Sequence, residues 1–365
     1  MYLSMQERAT YMSFSYKFPA VRGVQAKKEY YVSMVPLKVL PKLFASDADD
    51  IVSPEFRAQR KLNESRIPTI QKYIVSNRDS YVFSALSASI DGKFQFLPYD
   101  GQFDIGILEI DMDTTFLIND GQHRKAAIEE ALKDDPSLRE ETISVVFFED
   151  KGLEHSQQMF TDLNKHAVKS SNSIATLYDS RDDLAVATRN VIAQIPFFNQ
   201  FTDKEKDNLG KNSSKLFTLN NIYKANKRII KNGDVKDLER KFLFDFWNSV
   251  VINVIEWQEL INKDISKSDL RQNYILCLNI TIAAFGKLGA YFYSNPKVNM
   301  IKTLEKLCKI NWSRSNTNDW EGRAIDVKGK VISNELAIDL VCNRIKQLLG
   351  IHLSEEEKQK EDGLK

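Results

Sequence analysis

The chain has 365 residues, 42% of them hydrophobic and 21 of them phenylalanine, which is enough apolar mass for one large core or two smaller ones and excludes wholesale disorder. Lys and Arg total 51 against 50 for Asp and Glu, so any surface for a polyanion must be a local concentration of charge. The cysteines, Cys277, Cys308 and Cys342, are too scattered for a disulfide framework or a zinc site, and no signal-peptide core opens the chain, so a cytoplasmic protein with reduced thiols is expected.

In chain order, Phe14 to Phe18 and Glu29 to Val35 read as two short strands separated by Arg22-Gly23 and a basic turn, a candidate hairpin. Pro36 to Phe44 suggests a short helix, followed by an acidic turn, Asp47 to Asp50. Gln59 to Ser76 is a stronger helix, burying Leu62, Ile67, Ile70, Tyr73 and Ile74 and exposing Arg57, Arg60, Lys61, Arg66 and Lys72. Tyr81 to Ile90, Lys93 to Leu97 and Ile105 to Ile110 are strand-like runs divided by Asp91-Gly92 and Asp100-Gly101. Alternation along the third run puts Glu109, Asp111 and Asp113 on one side. That pattern suits a solvated strand edge, with a metal site as the alternative; no metal is assigned.

Phe116 to Ile118 ends a further strand, Asp120-Gly121 makes a turn, and Ala126, Ala127, Ile128, Ala131 and Leu132 mark one face of a helix beginning near Gln122. Gln122, His123 and Arg124 therefore fall in a first helical turn directly after a strand. Unpaired amides and the helix dipole favour an anion there, and Arg124 and Lys125 add positive charge. A turn whose polar residues only cap the helix is the alternative. Ile143 to Phe148 is a continuous apolar strand suited to a sheet interior. Leu153 to Asn164 is a helix with Leu153, Phe160 and Leu163 on one face and His155 and Gln158 outside it.

Asp120-Gly121-Gln122-His123-Arg124 spells the motif of the DGQHR family, and the chain around it resembles the DndB regulators of bacterial DNA phosphorothioation, in which sulfur replaces a non-bridging backbone oxygen. The likeness is most specific between Asn63 and Ser173 and thin in the C-terminal half. The same segment is similar to the ParB/sulfiredoxin fold, whose glycine–polar–polar–arginine turn holds nucleotide phosphates. Gly121 to Arg124 fall on that turn. Asn164 falls on the asparagine of a second polar motif, and Arg66 resembles an arginine of the family's upstream helix. Ala167-Val168 depart from the pattern, standing near where ParB proteins carry an arginine. The resemblance implies a phosphate or nucleotide pocket built from Asp120, Gly121, Gln122, His123, Arg124, Lys125, Asn164 and Arg66, with ATP, CTP or GTP and magnesium as candidate ligands.

Beyond Ser173 strands become scarce. Ser180 to Asp183 resembles a capping box for a helix Leu184 to Ile195, residues 202–214 read as a polar loop or a fraying helix, and Thr218 can cap a helix from Leu219 to Lys231. Leu238 to Ile261 reads as one helix with Leu243, Trp247, Val250, Val254, Trp257 and Ile261 inside, its valine-rich middle leaving a strand as the alternative. Tyr274 to Tyr293 reads as a core helix, because its charge-free part is too short for a bilayer. Val298 to Ile310 and Asn334 to Leu349 follow, and Ser354 to Lys365 reads as a charged, mobile tail. Lys224, Lys227, Arg228 and Lys231 recur at helical spacing, with Asn220, Asn221 and Asn226 available to pair with bases. An ordinary amphipathic surface helix is the alternative. A second basic stretch, Lys297 to Lys330, holds Trp312, Arg314, Asn316, Asn318 and Trp320, which suit either stacking on a base or a small core under a long loop.

The expected fold is α+β: a ParB/sulfiredoxin-like domain over residues 1–175, a helical domain over 176–352 and a tail over 353–365. The expected function is a DNA-binding repressor of a phosphorothioation gene cluster, acting on its own promoter. Double-stranded DNA is the expected partner, other phosphorothioation proteins and a homo-oligomer are further candidates, and no membrane is involved. The alternatives are a nucleotide phosphohydrolase or ParB-fold nuclease, with His123 and Arg124 as the chemical groups, and a non-catalytic docking subunit.

Overall fold

The computed structural model describes residues 14–44, 63–150, 152–165, 170–210 and 213–364. The acidic turn at 47–50 and the cations Arg57, Arg60 and Lys61 lie outside them, as do the side chains of His155, Phe160 and Asn164. The architecture is mixed α+β, and the chain divides into two compact units, Met1–Val168 and Lys169–Lys365.

The first unit is built on a seven-stranded sheet of β1 (Ser15–Gln25), β2 (Lys28–Pro36), β3 (Leu86–Asp91), β4 (Phe94–Pro98), β5 (Ile105–Asp111), β6 (Thr115–Asp120) and β7 (Thr142–Glu149). Their spatial order is β4-β5-β1-β2-β7-β3-β6. All neighbours are antiparallel except β3 and β7. β7, the continuous apolar run, is an interior strand, paired on one edge to β2 and on the other to β3. The β1–β2 hairpin turns at Ala26 and Lys27, both left-handed, so the strand runs through Arg22-Gly23 and not up to it.

Among the described residues, the α-helices that accompany the sheet are α1 (Leu40–Leu43), α2 (Ile67–Ser76), α3 (Gln122–Asp134) and α4 (Leu153–Lys165). Ala127, Ile128 and Ala131 of α3 and Ile74 of α2 join Leu86, Ala88, Ile118, Val145 and Phe147 in one core. α3 packs mainly against α2, while α4 packs beside β6.

The second unit is helical. Its elements are α5 (Asn172–Tyr178), α6 (Asp183–Gln194), α7 (Pro196–Phe201), α8 (Leu219–Ile229), α9 (Asp237–Asn253), α10 (Ile255–Asn262), α11 (Lys267–Asn273), α12 (Asn279–Ser294), α13 (Met300–Leu304), α14 (Thr317–Trp320), α15 (Glu335–Leu349) and α16 (Glu355–Asp362). Residues 202–203 and 217–218 form a two-strand parallel ladder where a polar loop or a fraying helix was expected. The helix expected across Leu238 to Ile261 is broken at Val254, whose backbone is extended (φ −87°, ψ 106°). Leu243, Trp247, Val250, Val254 and Trp257 are buried nonetheless, but Ile261, expected inside with them, is 44% exposed because the break at Val254 turns the stripe.

α8 and α12 lie so close that a Cβ on Gly286 would sit 2.6 Å from the Ala225 carbonyl oxygen. Trp312 and Trp320 are wholly buried and stack on each other with ring centroids 5.4 Å apart, so neither is available to a base. Residues 353–365, expected as a tail, carry α16, whose Glu357 pairs with Lys346 and Glu361 with Arg323. No helix among the described residues is long and apolar enough to cross a membrane.

The centre of this unit contains one fully buried polar hinge. Asn226 donates through Nδ2 to Thr188 Oγ1 (2.9 Å) and accepts at Oδ1 from Trp247 Nε1 (2.7 Å). Asn226→Ala leaves Trp247 Nε1 buried and unpaired, at about 1–3 kcal/mol, while the Thr188 hydroxyl keeps its bond to the Leu184 carbonyl. The thermal midpoint of this unit, followed by tryptophan emission, is expected to fall by about 2–4 °C per kcal/mol lost. An unchanged midpoint would mean that water replaces the amide.

Candidate functional site

The DGQHR residues sit at the junction of β6 and α3. Gly121 is left-handed at φ +106° and stands immediately before the helix. A Cβ there would lie 2.3 Å from Leu86 Cδ2 on β3, so both the dihedral and the space demand glycine. The β3–β6 ladder slips between Ser87 and Ala88, pairing Ser87 with Asp120 and Ala88 with Ile118. That irregularity sets Asp120, the last residue of β6, opposite Ser87 and leaves Leu86 beyond the ladder with β6. Residues 81–85, expected as strand, precede the ladder and leave their carbonyls without strand partners.

Arg124 fills that need. Its Nη1 donates to the carbonyl oxygens of Ser84 (2.8 Å) and Ala85 (3.0 Å) and to the Ser84 hydroxyl, while Nη2 pairs with the Asp120 carboxylate one helical turn back. The guanidinium thus ties the entry to β3, the end of β6 and the first turn of α3 together. Its side chain is only 16% exposed. The Lys125 side chain, equally buried, runs along its own helix to Glu129 (3.0 Å). The two cations that local sequence offers to an anion are therefore both engaged by the protein's own oxygens.

His123 accepts the Asn63 amide at Nε2 (3.1 Å), linking α3 to the turn that precedes α2. In that turn Asn63 Oδ1 accepts from the Ser65 amide, and Arg66 follows as an exposed residue directly before α2. The structure thus brings together Asp120, Gly121, Gln122, His123 and Arg124, and ties the short turn bearing Arg66 to His123. Asn164 lies on α4, which packs beside β6 on the same unit. The helix N-terminus carries no side-chain cap. Such an end can take a phosphate on its amides, and among the described residues Arg66 is an exposed cation three residues from Asn63 of the linking bond.

No group of three or more His, Cys, Asp or Glu among the described residues is arranged to hold a metal ion. Glu109 accepts from Ser15 and Gln95 and pairs with Lys17 at 3.0 Å, while Asp111 Oδ1 accepts the Asp113 amide. These three hydrogen bonds, with the Ser15 hydroxyl first, hold the Glu109 carboxyl down at about 2.

The basic helix α8 has two different sides. Inward, Ile222, Ala225 and Ile229 are buried, Tyr223 donates to Asp182, and Asn221 donates to Asn279. Asn220 and Asn226 are buried too, so they cannot reach bases as the sequence suggested. Thr218 caps the helix by accepting the Asn221 amide. Outward, Lys224 and Lys227 are exposed, as is Lys231 just past the helix end, and none is in an ion pair among the described residues. Arg228 instead forms a forked pair with Glu335 at 2.6 and 2.9 Å. Arg314 of the second basic stretch is turned inward onto the carbonyls of Tyr274 and Arg271.

Local sequence held no signal for Ser84, Ala85, Asn63 or Glu335, because each meets its partner across a long stretch of chain.

Against this geometry the family can be stated. A family model described as DndB, DNA-sulfur modification-associated, matches residues 18–352, nearly the whole chain. The chain belongs to that family and so to the proteins associated with DNA sulfur modification. No curated protein and no solved structure matches it.

Two outcomes follow from the motif's surroundings. Arg124→Ala removes charge-assisted bonds to two carbonyls and orphans Asp120, so it should lower stability by about 1.5–3 kcal/mol in urea titration. Arg124→Lys should not restore it, since an ammonium cannot make the same fork. Full stability in Arg124→Ala would show that the guanidinium is not structural.

For Glu109, the folded pKa lies below the unfolded one. Its contribution is therefore complete above about pH 4.5 and is lost as pH falls toward 2. Glu109→Gln should flatten the acid limb of the stability profile in that window and leave the neutral-to-alkaline limb parallel to wild type. An acid limb identical to wild type would contradict this assignment.

Proposed function

We propose that this protein is a DNA-binding regulator of a phosphorothioation gene cluster, which represses its own promoter through α8. The observation that carries the reading is the exposed, unpaired row Lys224, Lys227 and Lys231 on a helix whose other side is fixed by buried side chains. A chain with net charge of only +1 binds a polyanion through such a concentration of cations. Rigidity matters equally, because a fixed helix spends little entropy on ordering its contacts. Membership of a DNA-sulfur modification family makes duplex DNA the natural polyanion.

A second site accompanies this one in the proposal. The uncapped first turn of α3, with Gln122, His123 and Arg66, takes a phosphate-bearing ligand, a nucleotide or a modified backbone. Arg124 serves there as the brace of the turn, and Asp120 as the brace's counter-ion. A hydrolase is less well supported: the terminal nitrogens of Arg124 are committed to Ser84, Ala85 and Asp120, and His123 Nε2 holds a backbone amide.

The test is a salt series with a promoter duplex, read by fluorescence anisotropy. Each phosphate contact contributes about 0.9 to the slope of log affinity against log salt. Lys224→Ala with Lys227→Ala and Lys231→Ala should weaken binding and reduce that slope by about 2.7. Steady phosphate release from ATP, CTP or GTP that disappears in His123→Ala would promote the enzyme reading. Unaltered affinity and slope in the triple variant would move the DNA surface off α8.

A further inference from the structure

Of the four cations at helical spacing on and beside α8, Arg228 alone is paired among the described residues. Its partner, Glu335, is an exposed acid, 59% exposed at the side chain, that is held from several sides. Glu335 is the first residue of α15, directly after Asn334, whose side chain caps that helix through the Ala337 amide at 2.7 Å. Glu335 also accepts Lys287 of α12 at 2.9 Å. Lys287 is itself paired with Asp339, one turn along α15, and Asp339 takes Lys360 of α16 at 3.1 Å. An alternating chain of charges from α16 through α15 and α12 thus fixes one carboxylate against the guanidinium of α8. The fork matches that by which a guanidinium grips a phosphate, with two parallel N–H···O bonds.

We propose that Glu335 is a built-in phosphate competitor, which occupies Arg228 and withholds it from the DNA-facing row. The proposal rests on the DNA-binding reading above and adds to it which cation does not count. Its physics is an exchange. For Arg228 to reach a DNA phosphate, Glu335 must be released and must gather a cation from solution. That uptake cancels the counterion which the phosphate gives up, so Arg228 adds almost nothing to the salt dependence of the wild-type protein. Hydrogen bonds from Arg228 and then Lys287 hold the Glu335 carboxyl at about 2, so it stays charged at every working pH. The competitor is therefore constitutive, and mutation or a competing charge removes it where acidification does not.

The experiment compares wild type, Glu335→Gln, Arg228→Ala, the double variant, and Glu305→Gln, which makes the same charge change at an exposed acid outside the network. Each is titrated with the promoter duplex across salt and also eluted from heparin by a salt gradient. Glu335→Gln should steepen the duplex slope by about 0.9 and tighten binding several-fold at low salt, beyond Glu305→Gln. Arg228→Ala alone should leave the slope near wild type, and adding it to Glu335→Gln should abolish the gain. If Glu335→Gln matches Glu305→Gln, or if Arg228→Ala flattens the wild-type slope by a full contact, the proposal is overturned. Absence of duplex binding in every protein would instead sink the DNA reading. Heparin then judges the competitor by itself: later elution of Glu335→Gln than of Glu305→Gln supports it, and equal elution overturns it.

Discussion

The first unit depends on one guanidinium. A strand that must become a helix within a single residue leaves two problems: the chain has to reverse, and carbonyls just outside the ladder have no partners. Gly121 solves the first, with a left-handed dihedral and no Cβ to strike Leu86. Arg124 solves the second, gathering Ser84, Ala85 and Asp120 around one planar group. An ammonium could not span those directions, and a neutral side chain would leave Asp120 unbalanced. The aspartate, glycine and arginine of the DGQHR motif are explained by this brace before any ligand is considered. Its histidine accepts the Asn63 amide and so holds the turn before α2.

The second unit solves a different problem, that of presenting charge on a rigid support. α8 is drawn against α12 by the absence of side chains at Gly286 and Gly289, and is held by Tyr223 and Asn226. Burying an asparagine at the centre of an aromatic core is tolerable only because both of its polar atoms find partners. One consequence is orientation. With Asn226 and Ile222 turned in, Lys224 and Lys227 have nowhere to point but solvent. The same burial removes the asparagines from base readout, so α8 offers phosphates its cations but little sequence discrimination of its own.

The charge balance of the chain gains meaning from this placement. Near-equal numbers of acids and bases do not cancel uniformly, because acids such as Glu335, Asp339 and Glu361 are spent on cations inside the helical unit. Lys224 and Lys227 of α8 are among the cations left without such an acid among the described residues. Membership of the DNA-sulfur modification family gives those lysines a natural counterpart in duplex DNA.

How much of this was legible in the sequence depends on the range of the interaction. The strands around the motif, the turn at Asp120-Gly121, the helix from Gln122, the Thr218 cap and the buried stripe from Leu243 to Trp257 all follow from neighbours a few residues apart, so periodicity and turn chemistry reveal them. The mixed α+β class followed from the same local evidence, and the family from the five residues of the motif. Periodicity failed where packing overrode it: at Val254, where one expected helix became two, and at residues 353–365, where long-range ion pairs hold a helix against the unit. What only the tertiary structure decided is which cations are engaged. Arg124 and Lys224 look alike in sequence, each a positive charge near a helix end or along a helix face. One is taken up by carbonyls 39 and 40 residues away, and the other is left in solvent. Arg228 and Lys227 are adjacent, yet only the arginine meets a glutamate 107 residues downstream. Local sequence sets the character of a side chain, but its availability is set by the oxygens that folding brings to it, and those are too distant in the chain to be read.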